Sequence, residues 1–194
     1  MNIDPEIQAL QAEMQRWRRQ IHQHPETAFE EAATARLIAE QLQQAGIEVH
    51  QGLAKTGVVG VLRRGNSRNS IALRADMDAL YIQEQNRFNH ASCHSGKMHA
   101  CGHDGHCAML LGAAHYLAKH GRFDGTVYFI FQPAEECRAG ALQMIDEGLF
   151  EQFPRPLKTS MWQVTASVKK LVAKMNGSLP ARNHKQHDFQ QVFM

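Results

Sequence analysis

GTVYFIFQPAEE, residues 125–136, sets a nearly unbroken apolar run immediately before a proline and two glutamates. A strand that is apolar at successive positions presents apolar side chains to both faces, so both faces must be covered, as in a largely parallel sheet packed between helices. Upstream of it, HCAMLLGAAHYLAK (106–119) predicts a largely buried helix, preceded by the loop HACGHDGHC (99–107). Before that loop stands SIALRAD (70–76), a further strand rich in aliphatic residues. Strand, loop, helix and strand in that order make a crossover within an α/β sheet. Downstream, GALQMIDEGLF (140–150) predicts another helix.

Two helices are expected ahead of the sheet. Asp4 before Pro5 is a helix start, an N-cap oxygen followed by a residue whose missing N–H is harmless at the first helical position. Ile7, Leu10, Met14, Trp17 and Ile21 then recur at helical spacing up to the turn HQHPE. The second helix runs through Phe29, Ala33, Leu37 and Leu42 to Gly46, a natural C-terminal stop. IEVHQ and TGVVGVLRR predict strands, and GNSRNS between the latter and SIALRAD has the composition of a hairpin turn.

At 194 residues and 43% hydrophobic composition, the chain suffices for one well-buried core. No apolar run reaches the roughly 18–20 residues of a membrane span, and the N-terminal segment has no secretory pattern. With four cysteines, three of them among histidines, thiol or thiolate roles are expected in place of disulfides, and the expected location is cytoplasmic. The net charge of +2 hides an imbalance: residues 154–194 hold seven Lys/Arg and one acid, leaving 14 basic and 18 acidic residues in 1–153.

The polar residues fall at one expected edge. Asp76 and Asp78 follow one strand, Glu135 and Glu136 follow another, and Cys101 and His103 precede the helix that joins them. Parallel strands would bring all of them to the carboxyl-end crevice where α/β sheets bind ligands. Cys101, His103 and a glutamate from PAEE offer the thiolate, imidazole and carboxylate that zinc-type ions take together. Gly102 and Gly105 would let the backbone bend around an ion, and adjacent glutamates in extended backbone would point apart. One could then bind metal while the other faces a water, the division that metal-assisted hydrolysis needs. A structural zinc knot from Cys93, Cys101, His103, His106 and Cys107 is the rival, although it lacks the paired cysteine spacing of such sites. His90, His94, His115 and His120 read as ordinary structural or surface histidines.

RADMDAL (74–80), HACGHDGH (99–106), GTVYFIFQPAEE and GALQMIDEGLF together resemble the M20 family of metal-dependent peptidases and amidohydrolases. The resembling branch contains hippurate hydrolases, indole-acetyl-amino-acid hydrolases and N-acyl-diaminopimelate deacetylases. HPE (24–26) and TGVVGVL (56–62) fit the same pattern. The resemblance implies the N-terminal half of a zinc-peptidase-like α/β/α catalytic domain with a central mixed sheet. It implies that Cys101 bridges two metal ions, that His103 and Glu136 are further ligands, that Glu135 is the general base, and that Asp78 orients a ligand. The ions would be zinc or manganese, with cobalt or nickel as further candidates, and the substrate a small N-acyl amino acid, hippurate-like or N-acetylated. Neither nucleic acid nor membrane is an expected partner. Tyr81 and Cys107 stand where the family has proline and a small hydroxyl residue.

The resemblance ends near Phe153. Family members continue into a further ligand histidine, an inserted dimerisation domain and the returning half of the catalytic domain. Residues 154–194 resemble none of these, so the expected division is 1–153 as catalytic-domain half and 154–194 as a divergent basic tail of a truncated or frameshifted copy. Homodimerisation, usual for full-length relatives, would lack its domain. The expected function is therefore an amide-bond hydrolase with reduced or absent activity, and the alternative a non-catalytic metal-binding remnant or interaction module. Within the tail, Met161, Val164, Val168, Leu171, Val172 and Met175 recur at helical spacing among lysines, the pattern of a basic amphipathic element.

Overall fold

A computed structural model of the chain describes residues 4–136 and 139–153, together with the backbone of 158–161. In chain order the elements are α1 (Pro5–Ala9), α2 (Gln11–Gln23), α3 (Ala32–Gln44), β1 (Glu48–Leu53), β2 (Gly57–Arg64) and β3 (Ser70–Asp76). They continue as α4 (His103–His120), β4 (Gly125–Gln132), α5 (Gly140–Asp146), α6 (Leu149–Gln152) and β5 (Lys158–Met161). The five strands form one mixed sheet in the order β1-β2-β4-β3-β5. β3 pairs in parallel with β4, Ser70 opposite Thr126 through Asp76 opposite Gln132, and α4 is the crossover between them.

β4 lies in the sheet interior, as its unbroken apolar run requires. Val127, Phe129 and Phe131 face one side, with Ile71, Leu73 and Ala75 of β3, and pack against Trp17 and Ile21 of α2, Ile38 and Leu42 of α3 and Leu110 and Leu111 of α4. Tyr128 and Ile130 face the other side, where Met144, Leu149 and Phe153 cover them. The alternation of side-chain direction along a strand thus feeds two cores, giving the α/β/α layering expected from sequence.

The boundaries depart from the sequence reading in four places. The first amphipathic stretch is two helices, broken at Leu10. Phe29 lies outside α3 with a positive φ of 62°. The helix predicted over 140–150 divides at Gly148, which takes φ 97°. GNSRNS does not close a hairpin: β2 pairs antiparallel with β1 and β4, and β4 stands between β2 and β3. The physical reason lies in Asp124, whose Oδ1 accepts the N–H groups of Asn66 and Ser67 at 2.8 Å each, so the turn is capped from the start of β4 and not by its own flanking strands.

Lys158–Met161, within the stretch read as a divergent tail, pair in parallel with Ile71–Arg74 as an edge strand. The remainder of the amphipathic pattern lies outside the described residues. Among the described residues no helix is long and apolar enough to cross a membrane.

Phe129 is fully buried at the centre of the larger core. Phe129→Ala is expected to lower unfolding stability by about 3–5 kcal/mol, the loss of transfer energy plus a cavity, read from the midpoint of a urea transition at unchanged slope.

Candidate metal centre

Three chain segments meet at the carboxyl end of β3 and β4. The chain leaving β3 stays tied to β4 for one further residue through Met77 N–H to Gln132 O (2.9 Å), and Asp78 follows at 1% exposure. The second segment enters α4 through Gly102, whose φ of 88° is the left-handed conformation glycine adopts without strain. Gly105, also expected to bend the backbone, is an ordinary helical residue of α4. The third segment, 133–136, is a turn and not the extended backbone expected, with Ala134 at φ 53°.

That strained turn is held from outside. Glu31, fully buried, accepts the Ala134 N–H at 2.9 Å through one carboxylate oxygen and the Thr56 hydroxyl at 2.7 Å through the other. Burial raises the Glu31 pKa above the usual carboxylate value, against the lowering by these hydrogen bonds. On its far side Gly140 donates its N–H to Ala134 O (3.1 Å), and a Cβ at Gly140 would stand 1.8 Å from Pro133 O. Only glycine allows α5 to start so close to the turn.

Asp78 joins the segments. Its Oδ1 lies 3.2 Å from His103 Nδ1, its backbone oxygen 2.9 Å from the same nitrogen, and its Oδ2 accepts the Glu136 N–H at 2.9 Å. Burial alone would raise the Asp78 pKa, but the hydrogen bonds from His103 and Glu136 outweigh it and hold the group low. Burial would likewise lower His103, yet the Asp78 hydrogen bond and the Asp76 charge leave its pKa raised. With Nδ1 facing only acceptors, the His103 proton sits there and Nε2 points to Asp76 Oδ2 and Glu136 Oε1, each 3.7 Å away.

Donor atoms of Cys101, His103 and Glu136 lie within 4.8 Å of one another. Cys101 is exposed, and the adjacent Glu136 carboxylate, then burial, then the charges of Glu136, Glu135 and Asp76 push its thiol up to about 12. Glu136 Oε1 is buried and has no hydrogen-bond partner among the described residues. Glu135 stands beside the cluster with its side chain reaching solvent, and its pKa is raised by partial burial and by Asp76 and Glu136, against the lowering by His103 and Arg74. A thiol, an imidazole and an orphaned carboxylate oxygen within reach of one point fit a divalent ion of the zinc type. Asp76, His103 and His106 form a second such group that shares His103.

The five residues of the rival zinc knot are not gathered. Cys107 is fully buried and donates its S–H to Asp76 O at 3.1 Å, while Cys93 lies against His24. His115 bonds Gln41 O, and His90 stacks on Phe88 at 4.1 Å. Sequence reasoning missed Glu31, which acts across 103 positions with no local signature. It also missed the buried pairing of His22 with Asp104 (2.8 Å) and Glu84 (3.2 Å), which locks α2 onto the start of α4. Within HPE, Glu26 caps α3 through the Ala33 and Thr34 N–H groups, and its backbone oxygen accepts the Ala79 N–H at 2.8 Å.

A family model described as Peptidase family M20/M25/M40 matches residues 72–186. The chain is 52% identical over 153 residues to a hippurate hydrolase of Campylobacter jejuni, covering 79% of this chain and 40% of that protein. It is 43% identical over 148 residues to an N-acyl-L-amino acid amidohydrolase of Geobacillus stearothermophilus, covering 75% of this chain and 40% of the relative. Among solved structures, the Bacillus subtilis YXEP protein, a dinuclear metal binding peptidase from the M20 family, superposes with a TM-score of 0.70 at 41% identity, over 74% of this chain and 41% of its own. The chain thus spans about two fifths of the length of these relatives.

His99 is 4% exposed, both its ring nitrogens lack hydrogen-bond partners among the described residues, and burial lowers its pKa to about 4. An unfolded histidine at about 6.5 takes up a proton that the folded one refuses, so stability is lost as pH falls from 6.5 towards 4, by on the order of 3 kcal/mol in full. His99→Leu should flatten the stability profile across that window relative to the parent chain, measured by urea denaturation at a series of pH values.

Proposed function

The chain belongs to peptidase family M20/M25/M40, and from that premise we propose that residues 1–153 carry the metal-binding half of an amidohydrolase that cleaves N-acyl amino acids, hippurate-like or N-acetylated. The observation that carries the reading is the convergence of Cys101, His103 and Glu136 within 4.8 Å, with Glu136 Oε1 buried and without a hydrogen-bond partner among the described residues. Cys101, His103 and Glu136 would hold a divalent ion, zinc or manganese. Such an ion supplies Lewis acidity to water and to the amide carbonyl.

The remaining work falls to the chain's own side chains. Asp78 accepts a hydrogen bond from His103 Nδ1–H and so fixes the ring with Nε2 turned inward, while its other oxygen fixes Glu136 through the backbone N–H. Glu135 is the general base. Its raised pKa brings it closer to neutrality, so it can take a proton from water at its carboxylate and return it to the departing amine. Glu31 and Gly140 keep the Glu135–Glu136 turn in place. The free thiols of Cys93, Cys101 and Cys107 suit a reducing compartment, which supports a cytoplasmic location.

A second reading, a metal-binding module without catalysis, rests on the same cluster, because Cys101, His103 and Glu136 can hold an ion without turnover. The two differ on turnover. The purified chain is to be assayed with Zn²⁺, Mn²⁺ or Co²⁺ on N-benzoylglycine and N-acetyl amino acids. Turnover that Glu135→Gln lowers by about 10²-fold or more, with metal content unchanged, supports the hydrolase. Metal retention without turnover of any of these amides supports the module, and loss of neither metal nor turnover in Cys101→Ser and Glu136→Gln would overturn the ligand assignment.

Metal binding here must displace the Cys101 proton, held with a pKa of about 12. Binding is therefore expected to release protons and to weaken as pH falls. Calorimetry in buffers of different ionisation enthalpy should detect that release, and a binding enthalpy independent of buffer would contradict it.

A further inference from the structure

A second group of soft donors lies apart from these ligands. His24, the residue that caps the C-terminus of α2, places Nδ1 at 3.1 Å from the sulfur of Cys93, and the rings of His24 and His94 meet edge-on at 5.8 Å. One donor atom from each of the three residues lies within 4.8 Å of the other two, and all three side chains are exposed. Zinc takes imidazole and thiolate donors together, and tetrahedral zinc with such bonds separates its donors by about 3.3–3.6 Å. The observed spacing is within reach of small side-chain rotations.

The backbone beneath these donors is fixed. Cys93 N–H donates to Gln23 O at 2.9 Å, which ties the loop directly to the last residue of α2. Ser92 N–H donates to the buried Glu84 carboxylate at 2.5 Å. The Ser92 hydroxyl donates to His94 O (3.0 Å), and Lys97 N–H donates to the same oxygen at 3.2 Å. Ligand positions set in advance lower the ordering entropy that binding must overcome. No element of the proposed hydrolytic chemistry uses these residues.

We infer that His24, Cys93 and His94 form a zinc site on the surface of the chain, with water in the fourth position, which clasps the loop before Cys101 to the end of α2. The ion bridges segments about 70 positions apart in sequence, 69 between Cys93 and His24, and so pins the approach to the Cys101–His103 loop. Zinc binding transfers the Cys93 proton to solvent and involves no change of oxidation state.

The test uses Co²⁺ as a spectroscopic substitute in the full chain carrying Cys101→Ser, which removes the thiolate of the other centre. A thiolate-to-cobalt charge-transfer absorption should appear at one equivalent, vanish when Cys93→Ser is added, and require at least about tenfold more cobalt in His24→Gln or His94→Gln. In the same background one equivalent of Zn²⁺ should slow alkylation of Cys93, located by peptide mass, and this protection should be lost in His24→Gln. Because all three side chains are exposed, these replacements leave the core intact. Absence of the band in Cys101→Ser, its persistence after Cys93→Ser, or indifference of affinity to both histidines would overturn the site.

Discussion

One buried carboxylate, Asp78, holds the end of β3, the first residue of α4 and the turn after β4 in a single arrangement. Removing a carboxylate from water is unfavourable unless its oxygens are satisfied, and here each oxygen has a donor from a different segment. The same two bonds that make its burial tolerable fix the tautomer of His103 and the backbone of Glu136. Structural satisfaction and positioning of the candidate ligands are therefore one interaction.

Outside that contact further acids, buried or half-buried, perform similar work at longer range. Glu31 stabilises a left-handed Ala134, Glu26 caps α3 and ties to Ala79, and Asp104 and Glu84 share His22. Left-handed backbone at a residue with a Cβ is unfavourable and persists only where the surroundings over-determine it. The concentration of such restraint around residues 133–136, with carboxylates crowded about Cys101, is what an ion-binding site requires of its protein scaffold.

Much of the architecture was legible along the chain because burial imposes periodicity. β4 and β3 appear in the structure with the limits read from sequence, since a two-faced apolar strand has few alternatives. Strand partners were less legible: the GNSRNS turn looked local, but Asp124 from another element decides its conformation, and β4 inserts where a hairpin was expected. The helix limit at Gly148 was set by one left-handed glycine, which propensity over a window averages away.

The sequence by itself determined the residue types at the candidate centre and their order: thiol, imidazole and paired carboxylates at the ends of elements whose periodicity declares them strands and a helix. Parallel pairing of β3 with β4 then made their convergence unavoidable. Only the tertiary structure decided which nitrogen of His103 turns inward, that Glu31 supports the PAEE turn, that Cys107 is sealed in the core and that Cys93 faces His24 instead of Cys101. Those outcomes depend on distances between residues remote in sequence, and a distance across the fold leaves no periodic trace in the chain.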